Sequence, residues 1–206
     1  MQFKELVDSR RSIRRFLPDS IAEDDIKEII QTATKACNSG NKQNWHFIII
    51  QSKMLRNKMA KIIRDKAEAL LDEVKKNAQE IVEYSPQEFY LEAPITVAVV
   101  ATSSYRSKPD QLLLTLGYSD REVGDLRCRG DLQTIGAVIQ LLLLAAWDKG
   151  LGGCWMTGPL FARKELENLL GISDGASLAA MIPIGKPAII PINRGRRPVS
   201  EVMTFI

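Results

Sequence analysis

The stretch from Asp131 to Lys149 constrains this chain more than any other. Leu132, Ile135, Ala137, Val138, Ile139, Leu141 to Leu144, Ala145 and Ala146 put apolar groups on almost every face of one predicted helix. A helix apolar on every face is expected to be buried on every face. It therefore belongs at the centre of the fold or in an interface between subunits, and Gly150-Leu151-Gly152-Gly153 ends it. A membrane span is not expected, because the run Ala137–Trp147, interrupted by Gln140, is shorter than the roughly 20 residues a bilayer requires. With 206 residues the chain is expected to form a single domain, 1–206, with a sizeable core.

Around that helix the apolar spacing changes repeatedly. Phe3, Leu6 and Val7 predict a short amphipathic helix, and Ser20 with Glu23 has the form of a capping box ahead of Ile26, Ile29, Ile30 and Ala33. Asn38-Ser39-Gly40-Asn41 is a loop signal, and His46–Ile50 reads as a buried strand. A long helix is predicted from Ser52 to Glu83 on Leu55, Met59, Ile62, Ile63, Leu70, Leu71, Val74 and Ile81, followed by a strand over Ile95–Ala101. Beyond the central helix come a strand (Cys154–Met156), a helix (Ala162–Leu170), a strand (Leu178–Ile184) and an extended Pro- and Arg-rich tail from Lys186. Residues 102–130 are mixed and polar, as a lid or an insertion would be. Helices outnumber strands without regular alternation, and no GxGxxG follows a strand, so the expectation is an α+β fold rather than a dinucleotide-binding one.

Lys and Arg number 28 against 25 Asp and Glu, a net charge of +3. That excess is too small for a nucleic-acid footprint, though it suits a small anion. Cys37, Cys128 and Cys154 are widely spaced and odd in number, as expected of reduced thiols in the cytoplasm. The N-terminal residues lack the apolar core of a signal peptide. His46 is the sole histidine, so no metal-ligand spacing arises, and no Ser/His/Asp set has motif context.

Two constellations carry chemistry. In Ser9-Arg10-Arg11-Ser12-Ile13-Arg14-Arg15-Phe16, an extended backbone would project Arg10, Ser12 and Arg14 to one side, a donor-rich cup suited to phosphate. The alternative is a solvated basic turn. A second basic cluster, Arg194-Gly195-Arg196-Arg197, could converge on the same anion. In Ala36-Cys37-Asn38-Ser39-Gly40-Asn41-Lys42-Gln43-Asn44-Trp45-His46-Phe47, short amides and hydroxyls could bond the polar edge of a planar heterocycle. The alternative there is an ordinary Asx-rich turn beside a core Trp.

Together and in order, these segments resemble the nitroreductase family. The likeness takes in the Arg10–Phe16 stretch and the Ala36–Phe47 loop, with Cys37 and Asn44 where the family usually has prolines. It continues through the helix from Ile135 to Ala146 with its glycine turn, and through Ile184-Gly185-Lys186-Pro187 to Arg194-Gly195-Arg196-Arg197-Pro198. Residues 102–130 match least. The resemblance implies a three-layer α+β domain, a mixed central sheet flanked by helices, in an intertwined homodimer. It implies FMN as cofactor, with Arg10, Ser12 and Arg14 on its phosphate and ribityl side, Arg194 and Arg196 joining from the tail, and Arg11 also among the cofactor-binding residues. Cys37, Asn38, Ser39 and Asn41 would reach that FMN from the other subunit, and Thr157 and Gly158 would lie by the reactive ring edge. Thr157 stands where some members have Glu, so the family offers no fixed side-chain role there. The expected activity takes electrons from NADH or NADPH to a small organic acceptor, such as a nitroaromatic or quinone, in ping-pong order. Flavin N5 is then the reactive centre and no catalytic side chain is required. Flavin fragmentation, dehalogenation and non-enzymatic regulation are the alternatives.

Overall fold

The computed structural model describes residues 2–77, 83–102 and 106–206. Four strands form one sheet in the order β1 (Trp45–Ile50), β2 (Ile95–Ala101), β4 (Ser177–Gly185), β3 (Gly152–Gly153), and every neighbouring pair of these strands is antiparallel. The expected mixed character comes from outside them: Ser12 bridges Gly153 in parallel, so the N-terminal segment extends the sheet past β3. β2 is buried at all seven positions because strands flank it on both sides and helices cover both faces. β1 is only half-buried, against the expectation of a buried strand, because it is an edge.

The helices are α1 (Phe3–Ser9), α2 (Glu23–Ala33), α3 (Lys53–Asn77), α4 (Lys108–Thr115), α5 (Asp120–Leu126), α6 (Gly130–Asp148) and α7 (Arg163–Leu170). One core joins α2 and α6 to one face of the sheet through Ile26, Ile29, Val97, Val99, Ile139, Leu142 and Ile182. A second joins α3 and α7 to the other face through Met59, Ile63, Ala98, Leu166 and Met181. These are the three layers of an α+β fold.

Several local expectations change. Ser20 does not cap α2, whose N-cap is Ala22 with no side-chain bond; Glu23, Asp24 and Asp25 instead oppose the helix dipole in its first turn. α3 is described from Lys53 to Asn77, and the predicted contribution of Ile81 lies outside the described residues. The strand predicted over Cys154–Met156 is β3 at Gly152–Gly153, with Met156 making only an isolated bridge to Met181. Residues 107–126 are two helices, each opened by a true capping box: Ser107 with Asp110, and Ser119 with Glu122. α6 is long and apolar enough to cross a membrane, yet it packs inside this fold on Ile135, Val138, Ile139, Leu142 and Leu143. It is not covered on every face, since Leu132, Gln133 and Gln140 are exposed.

Candidate functional site

The N-terminal segment is laced to one end of the sheet. The Ile13 N–H donates to the Gly153 carbonyl (3.0 Å), the Leu17 N–H to Lys186 (2.9 Å), and the Ala188 N–H to Arg15 (2.9 Å). Ile13, fully buried, packs with Phe16, Ala93 and Trp147, while the Trp147 indole N–H donates to Ser9 Oγ (3.0 Å). With Ile13 facing in, Ser12 and Arg14 take the other side of the extended backbone. The glycine pair permits this approach: a Cβ on Gly152 would come within 2.3 Å of Ile13 Cγ1, and one on Gly153 within 2.9 Å of Leu143 Cδ2.

Arg10 is half-buried, and its guanidinium is pushed below its ordinary pKa by burial, then by the charges of Arg196 and Arg11. The charge of Arg196 in the tail therefore reaches Arg10; among the described residues no such interaction ties in Arg194. Burial also raises the Cys154 thiol, against the lowering charges of Arg14 and Arg10. Among the described residues, Arg10, Arg11, Arg14, Arg194 and Arg196 make no ion pair with a carboxylate, whereas Arg15 pairs with Glu92, Arg64 with Glu88 and Arg127 with Asp110. Like charges gathered at a partly buried place without counter-charge are costly unless an anion joins them.

Beside Arg14 opens a cavity of about 230 Å³, lined by Tyr84, Pro86, Gln87 and Phe89 on one side and by Cys154 to Pro159 on the other. Thr157 and Gly158 are thus brought to the same cavity as Arg14. Gly158 begins a 3-10 turn, Gly158–Ala162, so its N–H precedes any turn carbonyl that could accept it. The wall from Tyr84 to Phe89 had no expected role; it follows α3 in a segment without periodicity, and nothing local in the sequence points it at Arg14.

The loop of Cys37, Asn38, Ser39 and Asn41 lies elsewhere. It leads into Trp45, which pairs with Ala101, which pairs with Ser177. Gly153 pairs with Ile184, near the other end of β4 and on the opposite sheet edge. Seven residues of β4 separate the two levels, roughly 23 Å at strand rise, so within one chain the loop and the arginine cup occupy diagonal corners. The loop is self-supporting. Asn38 Oδ1 accepts from the Gln43 N–H (2.9 Å) and Asn38 Nδ2 donates to the Ala36 carbonyl (3.2 Å), while Gly40, Asn41 and Gln43 have positive φ. Asn38 spends its side chain on the turn, as an Asx-rich loop does.

Residues 7–186 match the Nitroreductase family. The chain belongs to that family. Among its nitroreductase-family relatives, YfhC of Bacillus subtilis (strain 168), provisionally named an NAD(P)H nitroreductase, is 27% identical over 202 residues, 98% of this chain and 92% of YfhC. The iodotyrosine deiodinase of Hydra vulgaris is 27% identical over 209 residues, covering 96% of this chain and 70% of the deiodinase. A BluB-like flavoprotein from Clostridium difficile 630 superimposes with a TM-score of 0.87 at 29% identity, over 100% of this chain and 99% of that one. A nitroreductase-like protein from Bacillus cereus shares the fold at a TM-score of 0.72 and 19% identity.

Proposed function

We propose that the protein is an FMN-dependent NAD(P)H oxidoreductase that passes electrons to a small organic acceptor. The observation that carries this reading is the unneutralised arginine cup, Arg10 with Arg196 beside it, next to a cavity edged by Arg14, Thr157 and Gly158. A phosphate bearing about −1.5 to −2 charges would relieve the repulsion and accept bidentate bonds. The residues present fit the group. Arg10, Arg11, Ser12, Arg194 and Arg196 would hold the phosphate and ribityl end; Arg14, expected with them, lines the cavity of Thr157 and Gly158 and would face the ring instead, and the Gly158 N–H would donate near its reactive edge. When bound, FMN supplies hydride acceptance and donation at N5. The chain's part is to fix the ring, present Arg14 to it and exclude water with the wall from Tyr84 to Phe89. With the ring held against this wall, nicotinamide and acceptor would take turns on its one open face. That ordering predicts parallel double-reciprocal lines in steady-state kinetics, and intersecting lines would exclude it.

The complete site is proposed to need a second copy of the chain. Cys37, Asn38, Ser39 and Asn41 lie too far from their own Arg10 to share its ligand. The tail also carries Ile192 and Phe205 at 84% and 87% exposure, an apolar arm without cover of its own. Light scattering on dilute protein should give about twice 23.0 kDa. A flavin-holding monomer would refute the shared site. We propose residues 102–130, which hold α4 and α5, as a lid on a single domain spanning the chain. The three free thiols support a reducing, cytoplasmic setting.

Purified protein should be yellow and should bleach when NADH or NADPH is added without oxygen. A colourless protein that takes up no FMN would overturn the assignment. The likeness to iodotyrosine deiodinases favours dehalogenation as a second reading. A yellow protein that neither nicotinamide bleaches, but that consumes a halogenated phenol under chemical reduction, would select it.

A further inference from the structure

Arg14 is anchored differently from the arginines around it. Its neighbour Arg15 pairs with Glu92, and Arg64 pairs with Glu88, so both are held by carboxylates. Among the described residues Arg14 has no such partner; its guanidinium carbon lies 5.9 Å from the centroid of the Phe89 ring, within reach of a cation–π interaction. The difference has a chemical consequence. A carboxylate would orient Arg14 but cancel its charge and occupy its N–H donors. An aromatic face orients the planar guanidinium and leaves both the charge and the in-plane donors available. Phe89 is itself well placed for this: it belongs to the 3-10 turn Phe89–Leu91, packs against Ile13, Phe16, Ala93 and Trp147, and lines the cavity together with Arg14. Ile13 anchors the Arg14 backbone from the same cluster, so one apolar unit fixes both ends of the side chain.

We propose that Phe89 is a positioning residue for Arg14, holding its guanidinium at the cavity charged and preorganised for an anionic or electron-rich ring edge. The identity of that ligand as FMN rests on the function proposed above. The test is a double-mutant cycle read by FMN titration of apo-protein, monitored by fluorescence quenching, with Arg14→Ala, Phe89→Leu and the two combined. Phe89→Leu should weaken FMN about three- to fivefold, the scale of a partly exposed cation–π contact. Phe89→Tyr should restore wild-type affinity, and the combined variant should bind no more weakly than Arg14→Ala alone. Thermal melts check folding, and Phe89→Met, unbranched and flexible, repeats the cycle if the leucine variant melts too low. Equal affinity of Phe89→Leu and wild type, or effects that multiply as independent in the double variant, would overturn the proposal. If wild type binds no FMN, the flavin reading fails by itself. The same cycle is then read from stabilisation by inorganic phosphate, where a Phe89 effect that disappears without Arg14 supports the positioning role and an unaltered one refutes it.

Discussion

Two groups of arginines in this molecule are built on opposite principles. Around α4 and α5 every arginine has its acid: Arg106 meets Asp120 at 2.7 Å, Arg121 meets Asp125 at 3.8 Å, Arg127 meets Asp110 at 3.1 Å, and Arg129 meets Asp131 at 2.8 Å. These groups surround a polar cavity of about 410 Å³ whose charges are already balanced. At the N-terminal segment burial, and then the charges of Arg196 and Arg11, lower the Arg10 guanidinium instead. The first arrangement holds a structure together. The second is a poor way to stabilise a fold and a good way to bind an anion, since the repulsion is released only when the ligand arrives.

Glycines give the comparison its largest test. Gly152→Val should drive segment 10–14 away from β3, costing about 2–3 kcal/mol of stability as overpacking does and removing flavin binding with it. A Cβ on Gly130, the first residue of α6, meets nothing within 4 Å. Gly130→Ala should therefore be neutral or stabilise by about 0.5–1 kcal/mol, the helix preference of Ala. Melting curves and FMN titrations of the two variants decide it, and equal behaviour would dissolve the contrast.

Next come the arginines themselves. Arg10→Gln should weaken FMN by about 1.5–3 kcal/mol, the scale of a charge-assisted hydrogen bond, while the apo-protein keeps or gains thermal stability. Arg127→Gln should do the reverse: FMN affinity unchanged and stability lower by about 0.2–1 kcal/mol, as for a half-exposed ion pair. A destabilised apo Arg10→Gln would show that the cup is structural after all.

The smallest effect concerns pH. Burial would raise Asp110, but the Ser107 hydroxyl and backbone N–H, together with Arg127, hold its carboxyl below the ordinary range. A carboxylate with a depressed pKa adds stability above its unfolded pKa and loses it as pH falls through the folded value. Amide exchange in α4 should therefore distinguish wild type from Asp110→Asn at neutral pH and cease to do so in acid. A difference that persists there would remove the carboxylate from the account.

What was legible in the sequence follows from how local each feature is. Arg10, Ser12 and Arg14 alternate within five residues, so an extended backbone suffices to align them, and the apolar periods of α2, α3 and α6 place those helices directly. The capping boxes that form were equally local, in Ser107-Lys108-Pro109-Asp110 and Ser119-Asp120-Arg121-Glu122. Ser20 and Glu23 offered the same spacing, but α2 starts at Glu23, too late for Ser20 to cap it. Phe89 under Arg14 was not legible, because 75 positions separate them and only the sheet brings them together. The approach of Arg196 to Arg10 was expected from the resemblance rather than from any local pattern, because it depends on the path of an irregular tail.

The central claim is that the cup is a phosphate site. Calorimetric titration of apo-protein with FMN and with riboflavin, which lacks the phosphate, measures it most directly. Two or more charge-assisted bonds at about 1.5–3 kcal/mol each predict FMN tighter by about 100-fold or more. The advantage should collapse toward unity in Arg10→Gln/Arg196→Gln. Equal affinity for the two flavins in the wild-type protein would contradict the account.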